Sequence, residues 1–455
     1  MVEKIVRIVG GGLAGAEAAY QLARRGVSVE LYEMRPLRMT DAHATGNLGE
    51  LVCSNSLRSS LITAPAGVLK EEMRRLDSLV IRVAEDNRVP AGSALAVDRE
   101  LFARALTQAV EALPKVRIVR QELREIPPGI VILATGPLTS TALSQHLATL
   151  LGSEHLYFYD AISPLVTTES VGMPVAFRAS RYEKGDDDYL NLPLTREEYY
   201  HFIDALLIAE RVPTHSFERF VPFEGCMPIE AIADRGKETL AFGPMRAVGL
   251  IDPRTGQRPY AVVQLRQENQ EKTLYNLVGC QTKMTYAAQR RVFAMIPGLE
   301  NAEFVRLGSL HRNTFINSPQ HLYPTLQWRQ RSNLFFAGQM TGVEGYIESA
   351  ATGLLAGVNA GRLIAEEPPV VPPPTTALGA LLRYITDPER KNFQPMNVNF
   401  GLLPPLSEPL RKKAKKEMMA QRALADMEAW VINPEGGEAF VPLDADPNVP
   451  SAVAR

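Results

Sequence analysis

Residues 5–33 constrain this chain more than any other stretch. A strand-like run, Ile5-Val6-Arg7-Ile8-Val9, passes directly into Gly10-Gly11-Gly12-Leu13-Ala14-Gly15 and an Ala-rich helical stretch through Ala23. Gly26 and a second strand, Val27-Ser28-Val29-Glu30-Leu31-Tyr32-Glu33, complete a β-α-β unit with G-x-G-x-x-G at its first turn. The glycines permit the tight turn and let the backbone approach a pyrophosphate, which would rest against helix N–H groups. Glu33 lies about 20 residues further on, where a carboxylate can accept hydrogen bonds from ribose hydroxyls. The unit reads as an adenine-nucleotide site. Taken alone, it leaves FAD, NAD and S-adenosylmethionine open.

Two later segments decide among these. Gly129-Ile130-Val131-Ile132-Leu133-Ala134-Thr135-Gly136 reads as a buried strand ending in Ala-Thr-Gly. Asn333-Leu334-Phe335-Phe336-Ala337-Gly338-Gln339 reads as another, followed by a glycine-rich turn to Tyr346 and a helix through about Ile364. Strands ending in this way resemble the two further nucleotide contacts of glutathione-reductase-like FAD domains. In such a fold the last helix aims its positive N-terminal end at the flavin. Many of those proteins have Asp where this chain has Gln339, so a neutral contact is expected there. The expected fold is α/β: a discontinuous FAD-binding Rossmann domain (1–180 and 300–367), an inserted α/β subdomain (181–299), and a proline-rich linker with a small helical C-terminal appendix (368–455). Within the insertion, Arg196–Arg211 reads as helix, and Thr239–Phe242 and Tyr260–Leu265 read as strands.

Composition narrows the functional classes. The 455 residues carry 49 basic and 51 acidic side chains, and 45% are apolar, which fits a globular protein and excludes a disordered or histone-like chain. Cys53, Cys226 and Cys280 are far apart and form no C-x-x-C pair, so neither a metal site nor a disulfide framework is expected. The N-terminal apolar run is too short for a signal-peptide core, and no uninterrupted apolar stretch of ~18 residues follows. A cytoplasmic protein with reduced thiols and no membrane partner is expected; its oligomeric state stays open.

The run Gly338-Gln339-Met340-Thr341-Gly342-Val343-Glu344-Gly345-Tyr346-Ile347-Glu348-Ser349-Ala350-Ala351 resembles that of flavoproteins that modify tRNA uridines. Leu51-Val52-Cys53-Ser54-Asn55-Ser56-Leu57 is similar to the folate- and FAD-dependent tRNA (uracil-5-)-methyltransferases within that group. Arg88-Val89-Pro90-Ala91-Gly92, Phe242-Gly243-Pro244-Met245 and Asn392-Phe393-Gln394-Pro395-Met396-Asn397 support the same likeness, which runs to about residue 420. It implies methylation of carbon 5 of uridine 54 in the tRNA T loop. Methylenetetrahydrofolate would give the carbon, reduced FAD the hydride, and NADPH or NADH would reload the flavin. It also implies that Cys226 attacks uracil carbon 6, with Cys53 as a second catalytic thiol that moves a proton or holds a reactive flavin–methylene species.

The chemistry suits those residue types. Carbon 5 of uracil is a poor nucleophile until something adds at carbon 6, and a thiolate is the side chain best suited to that addition. The exocyclic methylene formed after carbon transfer needs a hydride, whereas S-adenosylmethionine would need no flavin. Cys280 ends an apolar strand and reads as core. Tyr346 could stack on the flavin or the pterin. The residues expected to hold the cofactor are therefore Gly10, Gly11, Gly12, Leu13, Ala14, Gly15, Glu33, Ala134, Thr135, Gly136, Gly338, Gln339 and Tyr346. For tRNA, the basic run Arg411–Lys416 is one candidate phosphate patch; Arg74, Arg75, Arg82 and Arg88 are a second, and Arg290-Arg291 a third. Two other functions fit the same motifs: a small-molecule FAD oxidoreductase, and a tRNA-binding flavoprotein without methyl transfer.

Overall fold

Val6 and Ile8 are fully buried, so the first strand, Ile5–Val9, sits in the interior of a sheet. The computed structural model describes residues 4–40, 42–151, 155–183, 187–212, 227–390, 393–407 and 410–434. Ile5–Val9 pairs in parallel with Ser28–Glu33 on one side and Ile130–Leu133 on the other. Val116–Arg120 extends the sheet beyond Ser28–Glu33, and Arg331–Phe336 extends it beyond Ile130–Leu133, both in parallel. Gln327–Trp328 closes that edge antiparallel. Ile130-Val131-Ile132-Leu133 is apolar at every position because both faces of a parallel sheet are covered.

A second six-stranded sheet is antiparallel. It runs Phe177–Arg178, Tyr189–Leu194, Ala261–Gln267, Leu274–Leu277, Leu165–Thr167 and Phe304–Arg306, in that spatial order. The antiparallel ribbon of His155–Ala161 and Leu310–Ile316 carries the chain out to this domain and back. The expected boundaries at 181 and 299 fall inside the second sheet, because Leu165–Thr167, Phe177–Arg178 and Phe304–Arg306 all belong to it. Thr239–Phe242, expected as a strand, is a single helical turn. Four residues carry too little periodicity to separate the two. Arg196–Leu207 is a helix with a Thr195/Glu198 capping box, four residues shorter than expected.

The C-terminal region is no appendix. Glu72 of helix Pro65–Arg75 accepts hydrogen bonds from Ala377 N–H (2.7 Å) and Leu378 N–H (2.9 Å), capping helix Ala377–Thr386. Helix Lys412–Ile432 buries Met419, Ala420, Ala423, Met427 and Trp430 in the same core as the parallel sheet.

The site depends on how closely two helices pack. Leu13–Ala23 follows the first strand, and Tyr346–Ile364 lies along it. Gly353 and Gly357 make the approach possible. A Cβ on Gly353 would lie 2.2 Å from the Ala14 carbonyl oxygen, and one on Gly357 2.8 Å from that of Ala18. Both obstacles are backbone, which cannot turn aside. Gly353→Val should therefore cost roughly 1–3 kcal/mol by overpacking. Thermal denaturation of the purified variant should show a melting temperature several degrees lower.

Candidate active site

The two helices begin on the same cleft. Gly10 holds φ +105°, and a Cβ there would sit 2.4 Å from the Ala134 carbonyl oxygen, so the turn requires glycine. A Cβ on Gly12 would meet nothing within 4 Å, because Gly12 faces open space at the start of the first helix. Gly10, Gly12, Leu13, Ala14, Glu33, Ala134, Thr135, Gly136, Gly338, Gln339 and Tyr346 line one continuous cavity. Gly11 and Gly15, expected with them, do not. Gly11 donates its N–H to Glu33, and a Cβ on Gly15 would strike the Gly10 carbonyl oxygen at 1.8 Å. These two glycines shape the turn from behind.

Glu33 anchors one end of the cleft. Its Oε2 accepts from Gly11 N–H at 2.9 Å, and its Oε1 accepts from the N–H (2.9 Å) and Nε (3.0 Å) of buried Arg35. Arg35 also donates to Glu50 at 3.2 Å. Burial pushes the Glu33 carboxyl up, but the Arg35 guanidinium and the two backbone N–H groups outweigh it and hold the group below its ordinary value. Arg35 Nη2 also donates to Oε2 at 3.2 Å, so all of the roughly four acceptor positions of the carboxylate have protein donors. Arg35 and Glu50 were missed from sequence; an arginine two residues past the strand-ending acid was the available signal.

A second cavity adjoins the first at the other end, and Val52, Pro137, Leu138, Gln339 and Tyr346 are walls of both. Cys53 lines it, half-buried, on the loop between the first domain's elements and strand Ser56–Ser59. Tyr346, expected to stack on a ring, has its hydroxyl turned to the Cys53 loop. The hydroxyl oxygen accepts from the N–H groups of Cys53 (2.9 Å) and Ser54 (3.2 Å), and lies 3.0 Å from Cys53 Sγ. Two N–H groups occupy both lone pairs, leaving the hydroxyl hydrogen to point at sulfur, an arrangement that favours negative charge there. Burial, reinforced by Cys53, lifts Tyr346 well above the usual tyrosine value, so it keeps that proton.

Charged groups that the sequence did not single out surround the loop. Arg99 donates to the Leu51 carbonyl at 2.8 Å and pairs with Glu268 at 2.6 Å. Arg306 is lowered to about 10 by burial, with Arg99 adding to the effect. Glu348, fully buried on the cavity wall, accepts from Val398 N–H (3.1 Å) and Arg58 (3.2 Å) through Oε1. Its Oε2 has no partner among the described residues, and burial, opposed by Arg58, raises its carboxyl above the ordinary value. Gln339 donates to Glu344 at 3.1 Å, so the position expected to be neutral has a buried acid against it.

Cys226 lies outside the described residues. Cys280 is fully buried, and its thiol is pushed up to about 12 by burial alone, as expected of a core residue. Most arginines of two expected basic patches have acidic partners, Arg88 and Arg290 staying exposed. Arg74 pairs with Glu71 and Glu85, Arg75 with Glu428, Arg82 with Asp77, and Arg291 with Glu210. Lys413, Lys415 and Lys416 stay exposed on the C-terminal helix. No described helix is long and apolar enough to cross a membrane.

A parallel sheet with a glycine turn, a strand-ending acid and an adjoining thiol-lined cavity define a dinucleotide-binding protein of the Rossmann class with a built-in second site. A profile of the family described as Glucose inhibited division protein A matches residues 5–368. A Geobacter sulfurreducens protein named methylenetetrahydrofolate--tRNA-(uracil-5-)-methyltransferase TrmFO is 58% identical over 428 residues, covering 94% of this chain and 98% of that one. A Bacillus cereus protein of the same name is 56% identical over 432 residues, covering 95% and 100%. The solved structure of Aquifex aeolicus GidA matches with a TM-score of 0.67 at 16% identity, over 96% of this chain and 75% of that one, a likeness of fold. The chain belongs to the glucose-inhibited division protein A family and, within it, to the TrmFO methyltransferases.

Because Glu33 has its carboxyl held below 4.5, its contribution to stability is complete above that value and is lost as pH falls through the lower, folded-state value. Glu33→Gln should cost about 2 kcal/mol near neutral pH. In thermal melts recorded at decreasing pH, the gap between wild type and variant should close in the acid range.

Proposed function

We propose that this protein methylates carbon 5 of a tRNA uridine, taking the carbon from methylenetetrahydrofolate, and that the uridine is position 54 of the T loop. One observation carries the reading: the thiol of Cys53 opens on a cavity that shares Tyr346 and Gln339 with the dinucleotide cleft.

FAD suits that cleft. The open space over Gly12 and the first-helix N-terminus accept a pyrophosphate, and the N-terminus of helix Tyr346–Ile364 an anionic ring. When bound, FAD supplies the hydride that turns the exocyclic methylene into a methyl group, and NADPH or NADH restores it. Gly10, Gly12, Leu13, Ala14, Ala134, Thr135, Gly136 and Gly338 are the backbone walls that hold it.

The chain's own groups do the rest. Cys226 is assigned the addition to uracil carbon 6. The described chain resumes at Met227, and Ile229 N–H donates to the carbonyl of Gln281 at 2.7 Å, a residue on the wall of the Cys53 cavity. Cys53, with Tyr346 aiming a proton at its sulfur, is suited to receive the proton that leaves carbon 5. A T-loop uracil must leave its stack to reach this cavity, while exposed Lys413, Lys415 and Lys416 meet phosphates. A cytoplasmic location, where thiols stay reduced, goes with this reading.

Incubation of unmodified tRNA with NADPH and methylenetetrahydrofolate labelled in its one-carbon unit should put the label in 5-methyluridine. Cys53→Ala and Cys226→Ala should each lower that product roughly 10²-fold or more while keeping bound FAD. Full labelled product from either variant would remove that thiol from the reaction, whereas no labelled 5-methyluridine from the wild type would point instead to an oxidoreductase with bystander thiols. Changing Lys413, Lys415 and Lys416 together to Ala should weaken tRNA binding and flatten its dependence on salt, by about 0.7–0.9 in log–log slope for each phosphate no longer neutralised. An unchanged slope would make that helix face a solvated surface only.

A further inference from the structure

Arg266 is out of place by composition. It occupies the sixth position of Ala261–Gln267, a strand buried at all seven positions, and has only 8% exposure. A guanidinium in such a strand is strongly destabilised by lost hydration unless its donors find partners. They find them outside the strand's own domain. Nε donates to Asn55 Oδ1 at 2.8 Å, and Nη2 donates to Ser54 Oγ at 2.8 Å. These are the two residues that follow Cys53. Asn55, itself fully buried, returns the contact through Nδ2 to the Gln267 carbonyl at 3.0 Å and the Val97 carbonyl at 3.0 Å. On the other side of the thiol, Arg99 grips the Leu51 carbonyl and is paired with Glu268. Residues 266–268 of the inserted domain thus reach both flanks of the cysteine.

Ser54 is where the two domains meet. Its N–H donates to Tyr346 of the nucleotide domain, and its Oγ accepts from Arg266 of the inserted domain. The same Tyr346 oxygen accepts the Cys53 N–H, so a shift of Ser54 changes how Tyr346 faces the sulfur. We propose that Arg266 is a positioning residue, which fixes the Cys53 thiol against Tyr346 by holding Ser54 and Asn55 from the inserted domain. This role rests on the functional reading above. Arginine is required because only its planar fork spans both acceptors; a lysine reaches one. The arrangement makes the geometry of one thiol depend on the docking of the domain whose sequence carries the other.

The test uses the FAD-loaded full chain as wild type, Arg266→Lys, Arg266→Met, Ser54→Ala, and Arg266→Lys with Ser54→Ala. Alkylation of Cys53 by iodoacetamide, followed by peptide mass spectrometry across pH, reads the thiol directly and requires no turnover. Arg266→Lys and Arg266→Met should slow that reaction about fivefold near neutral pH and move its midpoint to higher pH. Both should lower kcat for labelled-carbon transfer about tenfold or more, with KM for tRNA within about twofold and FAD content unchanged. The double variant should be no more impaired than the worse single variant, because both changes break one hydrogen bond. A wild-type alkylation profile in both Arg266 variants, or effects that multiply in the double variant, would overturn the proposal. If Arg266→Met does not fold, the lysine and serine variants decide alone. If wild type itself makes no 5-methyluridine, the functional reading fails, and the alkylation profiles still judge Arg266.

Discussion

The closeness of two helices is the constraint on which the site rests. Helices Leu13–Ala23 and Tyr346–Ile364 are far apart in sequence, yet Gly353 and Gly357 let the second lie against backbone oxygens of the first. That packing brings the N-terminus of each to one cleft, so two partial positive charges converge on the space a dinucleotide would fill. It also fixes Tyr346, the first residue of the long helix, at the junction with the second cavity. A side chain at Gly353 would pry apart the cleft and the thiol's partner together.

The second domain adds chemistry by enclosing the thiol loop. Its antiparallel sheet contributes Arg266 and Asn276 to the Cys53 cavity, while the nucleotide domain contributes Tyr346, Glu344 and Glu348. Many of these groups are buried and charged, a composition that persists only with partners. Arg99 has Glu268, Arg58 has Glu348, and Arg266 has the Ser54 and Asn55 side chains. Glu348, on the wall of the same cavity, keeps one oxygen unpartnered among the described residues, and burial raises its carboxyl above the ordinary value. The family relation makes methyl transfer to a tRNA uracil the fitting use for such a cavity.

Much of the nucleotide half was legible in the residues. Gly10, Gly12 and Glu33 act through a local turn whose geometry follows from glycine and a fixed spacing, and the Ala-Thr-Gly and Ala-Gly strand ends lie where that turn needs them. Other features were not legible, for definite reasons. Leu165–Thr167 and Phe304–Arg306 are three-residue strands whose assignment depends on each other and on Leu274–Leu277, so no local pattern reveals them. Of the arginines that looked like a basic patch, Arg74 and Arg82 pair with acids nearby in sequence, and only the Arg75 partner Glu428 is distant. The C-terminal helices looked appended because the Glu72 cap and the shared apolar core are long-range.

Local order therefore settled the class of fold and the place of the glycine turn at the cleft, since φ-dependent turns and helix starts are decided within a few residues, though not that Gly11 and Gly15 face away from it. Only the tertiary structure decided that the Tyr346 hydroxyl meets the Cys53 loop, that Glu344 and Glu348 line the same cavity as the thiol, and that an arginine from another domain hydrogen-bonds the loop. Hydrogen-bond partners separated by more than 200 residues leave no trace in spacing. They exist only once burial has removed water as the competing partner.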